Sequence, residues 1–183
     1  VKDLVGQLEP AARAGIPIVG LEPSCTAVLR SDALDLLEGT AEEAAARAVA
    51  GATHTLAEIL DQTEGWSPPD FAGQSVIVQP HCHQHAVMGS AADLKILERA
   101  GATVTRLGGC CGMAGNFGME KGHYEVSVAV AEQQLLPALR EQPDAVLLAD
   151  GFSCRTQAQD LASRPGVHLA QLLVRAGDEL PLE

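Results

Sequence analysis

A chain of 183 residues is the size of one compact domain, large enough to bury an apolar core without disulfide staples. Acidic residues outnumber basic ones 24 to 12, and the resulting charge of −12 repels phosphate backbones, which argues against nucleic acid as a partner. No run approaches the ~18 apolar residues of a membrane span, and five cysteines at uneven spacing do not fit a disulfide framework.

The chain opens at Val1-Lys2-Asp3, with neither an initiator methionine nor a basic-then-apolar leader. This predicts a piece of a longer polypeptide without a signal peptide. Residues 16–21 read as the first buried strand. Thr40 with Glu43 has capping-box spacing ahead of a helical pattern through Ala44, Ala48, Val49, Leu56, Ile59 and Leu60. A loop over 63–73, carrying Trp66, Pro68 and Pro69, reads as a seam between two halves. The second strand is predicted at 75–79. Ser90 with Asp93 resembles another capping box ahead of Leu94, Ile96, Leu97 and Ala100, and Gly101 stands where a helix C′ glycine belongs. A third strand follows at 103–107. A helix is expected from near Tyr124 to Arg140, with a kink or restart at Pro137. The last strands are placed at 145–149 and 167–171.

Aromatics make up only 3%, so the core must be aliphatic and alanine-rich. Strands alternating with helices predict a single α/β domain over residues 1–183, with a mainly parallel sheet of about five strands flanked by helices. Such sheets hold their sites at the carboxyl ends of the strands. The cysteines fall there: Cys25 after the first strand, Cys82 after the second, Cys110 and Cys111 after the third and Cys154 after the fourth.

Three segments carry the chemistry. In Pro80-His81-Cys82-His83-Gln84-His85, imidazoles flank a thiol, and both bind zinc or iron. If the segment is extended, His81, His83 and His85 share one face and Cys82 takes the other. The stretch 107–118 sets Cys110-Cys111 among five glycines, a backbone free to turn and aim amide N–H groups at sulfur. It lacks both the G-x-G-x-x-G spacing and a P-loop lysine, which argues against nucleotide. In Asp150-Gly151-Phe152-Ser153-Cys154-Arg155-Thr156-Gln157, the thiol is predicted near a helix N-terminus, with its thiolate favoured there. The run Val19-Gly20-Leu21-Glu22-Pro23-Ser24-Cys25 repeats the pattern of Leu148-Ala149-Asp150-Gly151-Phe152-Ser153-Cys154, as two halves of a duplication would, or by chance.

Glu22-Pro23-Ser24-Cys25, His81-Cys82-His83-Gln84, Gly109-Cys110-Cys111-Gly112-Met113-Ala114-Gly115 and Asp150-Gly151-Phe152-Ser153-Cys154 together resemble the cysteine-rich CCG domain. That domain occurs in heterodisulfide reductase, in the iron–sulfur subunit of glycolate oxidase and in anaerobic glycerol-3-phosphate dehydrogenase. The likeness is closer to the C-terminal region of FAD-linked oxidases of D-2-hydroxy acids, and it covers residues 16–173. It implies an iron–sulfur cluster, of 4Fe-4S type, on Cys82, Cys110, Cys111 and Cys154, with Cys25, His81 or His83 supplying any missing ligand. Gly151 stands where the first cysteine of the family's C-x-x-C would be.

The resemblance further implies electron transfer beside a flavin domain of the same parent, in the cytoplasm, with an acceptor that includes a peripheral membrane partner among its alternatives. FAD belongs to that flavin domain, since no flavin-binding segment is visible here, so the chain alone is not expected to oxidise substrate. A zinc-binding structural module is the alternative, because thiolate and imidazole serve both metals. A Cys110–Cys111 redox disulfide or a cysteine hydrolase would leave most of the constellation unused.

Overall fold

Along Ser75–Val78 the side chains of Val76 and Val78 are buried in one core cluster and Ile77 in another, so this strand is covered on both faces. A computed structural model describes residues 1–175. It contains α1 (Lys2–Arg13), β1 (Ile18–Gly20), α2 (Pro23–Ala27), α3 (Ala33–Leu37), α4 (Glu43–Ala52), β2 (Thr53–Thr55), α5 (Leu56–Gln62) and β3 (Ser75–Val78). Then come α6 (Ala91–Arg99), β4 (Thr103–Arg106), α7 (Tyr124–Ala131), α8 (Leu135–Glu141), β5 (Val146–Leu148), α9 (Phe152–Ala162), β6 (Gly166–Val167) and α10 (Leu169–Arg175). The fold is α/β with parallel strands, as the alternation predicts, but the strands divide between two sheets.

β1 and β2 form a parallel pair, and the larger parallel sheet runs β4-β3-β5-β6. The chain leaves β3 to add β4 on one side, then returns to add β5 on the other. Such a reversal is where open parallel sheets place their sites, at the carboxyl ends of the strands. One face of the larger sheet packs Val76, Val78 and Leu148 against Ile96, Leu97 and Leu172. The other packs Ile77 and Leu147 against Leu135, Leu139 and Ala158. A third cluster, around Val5, Leu37 and Val49, serves the helices beside the small sheet.

Several predicted elements are redrawn. The helix expected through residues 44–60 is interrupted by β2, because Thr53, His54 and Thr55 pair with β1. Thr40 does not close a capping box: its hydroxyl donates to the Leu37 carbonyl, and Glu43 accepts from Gly39 N–H. The box is at Thr55, whose hydroxyl takes the Glu58 N–H while Glu58 takes the Thr55 N–H. Ser90 is the N-cap of α6 but makes no side-chain cap bond, and Asp93 turns inward to Gln84. Gly101 ends α6 with φ +79°, as expected. The long helix at 124–140 is two helices, and Pro137 lies in the first turn of the second, where its missing N–H costs nothing. The strand expected at 167–171 stops at Val167. The Asp150 carboxylate accepts from Leu169 N–H and Gln171 reaches back to His168 N–H, which starts α10 instead. The 63–73 loop lies in sequence between the two sheets, and its Phe71 is buried against the larger one.

Candidate metal centre

Register brings the three motif segments of the larger sheet together. Leu107 N–H donates to Val78 O at 2.9 Å and Gln79 N–H to Leu148 O at 2.9 Å, so β3, β4 and β5 end level with one another. Buried Gln79 then reaches across, its Nε2 donating to Gly109 O at 2.7 Å, and ties the end of β3 to the Cys110–Cys111 loop.

After Pro80 the chain turns helically: His85 N–H donates to His81 O at 2.9 Å. The alternating faces of an extended segment therefore do not apply. Gln84 is drawn inward to Asp93 (3.1 Å), and this turn gathers His81, Cys82 and His83 while sending His85 outward to Arg106 (3.3 Å). Cys82 Sγ lies 4.0 Å from His81 Nδ1 and 3.8 Å from His83 Nδ1, and the three ligand atoms sit within 4.8 Å of one another. Zn–S and Zn–N bonds place tetrahedral neighbours about 3.5 Å apart. Small side-chain rotations would close these three onto one ion, so the donor set fits zinc or iron.

The glycine loop splits its cysteine pair. Cys110 is exposed and lines a cleft of about 180 Å³ with Pro80, Cys82, His85 and Leu107. Cys111 is buried against Cys154, Met113 and Ala149. Gly112, directly after the pair, turns the chain with φ +75° and donates its N–H to Cys110 Sγ at 3.3 Å. A Cβ at Gly112 would also crowd Val130. The Cys154 thiol bonds to the Cys111 sulfur, which together with amide Met113 and the Ser153 hydroxyl outweighs burial and lowers Cys111 to about 5. Its partner moves the other way: the bond to Cys111, burial and the surrounding thiols all push Cys154 up. The helix N-terminus predicts a favoured Cys154 thiolate, and the structure reverses this. In the metal-free pair Cys111 carries the charge, and Arg155 turns away to donate to Ala149 O and Asp150 O. Cys82 is also pushed up, by burial first and then by the neighbouring Cys110 and Cys111.

The structure brings the predicted thiols together in two pairs, Cys82 with Cys110 at the cleft and Cys111 with Cys154 in the buried cluster. Cys25 does not join them among the described residues. It is exposed on α2, and its own N–H bonds to Glu22, the N-cap of that helix. Burial raises Glu22, but the bonds from Ser24 and Cys25 and the charge of His81 hold its carboxyl below the usual range. His81 is 5% exposed and pushed down, chiefly by burial, and its ring stacks on that of exposed His83. Gln157 closes the third motif segment, which assigns it no role. It lies one turn beyond Cys154 and is 1% exposed. Its Nε2 donates to Cys111 O and to the Ser127 hydroxyl, pinning the cysteine loop to α7. Its signal in the sequence is only its i+3 spacing from Cys154.

No protein-family model matches the chain. It is 32% identical over 170 residues to a D-2-hydroxyglutarate dehydrogenase of Escherichia coli, covering 91% of this chain and 16% of that protein. It is 28% identical over 174 residues to the Pseudomonas putida protein of that name, with 92% and 16% covered. To the one from Pantoea ananatis it is 28% identical over 170 residues. The chain that gathers these thiols is therefore similar, over nine-tenths of its length, to about one sixth of the length of proteins named D-2-hydroxyglutarate dehydrogenase.

Proposed function

We propose that this chain is the metal-centre domain of a flavin-dependent oxidoreductase of D-2-hydroxy acids, holding a 4Fe-4S cluster for electron transfer. What supports this is that all four thiols follow the ends of β3, β4 and β5, with Cys82 and Cys110 lining one cleft and Cys111 and Cys154 sharing one buried cluster. The similarity to D-2-hydroxyglutarate dehydrogenases supports the choice of substrate class. When bound, such a cluster accepts and releases single electrons. The residues here prepare its seat: the bond from Cys154 and the Met113 amide hold Cys111 toward its thiolate, Gly112 N–H faces Cys110 Sγ, and Gln157 holds the loop. In this reading the rest of the parent polypeptide carries the FAD and the substrate, and the domain works in a reducing compartment, the cytoplasm. The acceptor is reached in solution or at the membrane periphery; no helix among the described residues is long and apolar enough to cross a membrane.

The gathering of His81, Cys82 and His83 favours a second reading, a structural zinc site in the same parent, because a mixed nitrogen and sulfur set suits that ion. Anaerobic incubation with iron and sulfide, or with zinc, followed by metal analysis and a visible spectrum, separates the two. Stoichiometric iron with broad visible absorption is expected. A colourless chain that retains only zinc would move the proposal to the second reading, and one that binds neither would end both.

A further inference from the structure

The ring of His81 and the backbone at Gly151 occupy one another's space. A Cβ built on Gly151 would lie 2.3 Å from His81 Cδ2 and 2.9 Å from Cγ, closer than real atoms approach. The backbone does not ask for glycine here. Gly151 has φ −71° and ψ 131°, an extended conformation open to any residue. Its position asks for something else: it is the N-cap of α9, where Ser, Thr, Asp or Asn would satisfy an orphan N–H, and none does. The helix forgoes a side-chain cap, and the volume given up is filled by an imidazole.

That imidazole is held in the tautomer a ligand through Nδ1 requires. His83 N–H donates to His81 Nδ1 at 3.2 Å, so this nitrogen is the unprotonated one; it lies 4.0 Å from Cys82 Sγ, and a metal there would take the lone pair that the His83 N–H now occupies. The other nitrogen, Nε2, then carries the proton and faces Ser153 Oγ at 3.4 Å. Metal-bound histidines characteristically donate their second N–H in this way, to a group that fixes the ring. His83 has no such packing and is exposed.

We infer that His81 is itself a ligand of the centre, seated where a side chain at position 151 would otherwise reach it. An imidazole at 81 and a thiol at 151 are then alternatives that exclude each other by volume, and the centre takes one nitrogen in place of one sulfur. The inference rests on the proposed metal centre and narrows its ligand set, leaving His83 and Cys25 outside it.

The test compares wild type with His81→Asn, His81→Ala and the pair His81→Ala with Gly151→Cys, each loaded anaerobically with iron and sulfide, or with zinc, and challenged with chelator. Circular dichroism of the metal-free chains checks folding, and the near-isosteric asparagine keeps the site filled if alanine does not fold. Both single variants should retain metal at least about tenfold more weakly than wild type, the size of loss seen when the shell of a site is damaged. The double variant should recover it. With iron, its midpoint potential should fall below that of wild type, since a thiolate brings a negative charge where the imidazole is neutral. Single variants that hold metal as wild type does, with the same spectrum, or a double variant no better than His81→Ala, would overturn this inference alone. A wild-type chain that binds no metal would overturn the metal centre with it.

Discussion

Cys111 and Cys154 sit in the same buried cluster, yet their protons are divided unequally, and the charged member is the one on the glycine loop. Losing that thiolate should cost the site its metal: Cys111→Ser is expected to abolish retention after chelator challenge, because serine is a poor ligand for soft metals. Arg140→Ala, which removes only an exposed pair with Glu132, should leave metal content unchanged. Asp93 offers a pH test away from the thiols. It is 4% exposed, takes a bond from Gln84, and burial with the nearby charge of Asp150 raises it to about 7. A carboxyl raised in the folded state contributes stability that is fully present below its unfolded value of 3.8 and is lost as pH rises through about 7. Asp93→Asn should therefore unfold at higher temperature than wild type near pH ~8, by roughly 1–4 kcal/mol, with the gap closing near pH ~4. In sequence Asp93 is indistinguishable from a capping residue three places after Ser90. Only the burial of Gln84 opposite it reveals its other role.

At the scale of elements, the spacing of Thr or Ser three residues before an acidic residue occurs at Thr40, Thr55, Ser67 and Ser90, and it closes a capping box only at Thr55. Glu58 there also holds Arg30 through two bonds of 2.7 and 2.8 Å. Thr55→Ala should cost about 1 kcal/mol in urea unfolding, the usual loss for an N-cap. The cysteine-bearing strand ends were legible because β3 and β5 are short aliphatic runs and β4 a β-branched one through Thr103, Val104 and Thr105. β2 was hidden because three residues, Thr53, His54 and Thr55, sit between two helical patterns that read as one. The start of α10 was hidden for a different reason: Leu169 would suit a strand or a helix equally, and the choice is made by bonds to Asp150 and within the His168 turn. The position of each thiol after its strand could be read in advance. Which thiols turn inward depends on contacts between residues more than 40 apart in sequence, such as that of Gln157 with Cys111.

Across the whole molecule, the three aliphatic clusters lie apart from the thiol cluster, and none includes a cysteine or a motif histidine. A fold of this size draws enough stability from such cores to stand without an ion. Chelation is expected to leave far-ultraviolet circular dichroism unchanged and to lower the unfolding midpoint by only a few degrees, about what the loss of one or two kcal/mol produces. Outright unfolding on chelation would make the metal a folding element and favour structural zinc.

The division of the thiols between surface and interior also sets an order of events in time. Cys25, Cys82 and Cys110 are exposed, whereas Cys111 and Cys154 are buried. In the proposed centre an incoming ion would meet exposed Cys82 and Cys110 before buried Cys111 and Cys154, so loading would have a capture step and a slower seating step. A thiol reagent added to the metal-free chain should consume three groups quickly and two at a rate limited by local opening. Five groups reacting in a single fast phase would mean that the inner pair is as open to solvent as the outer one.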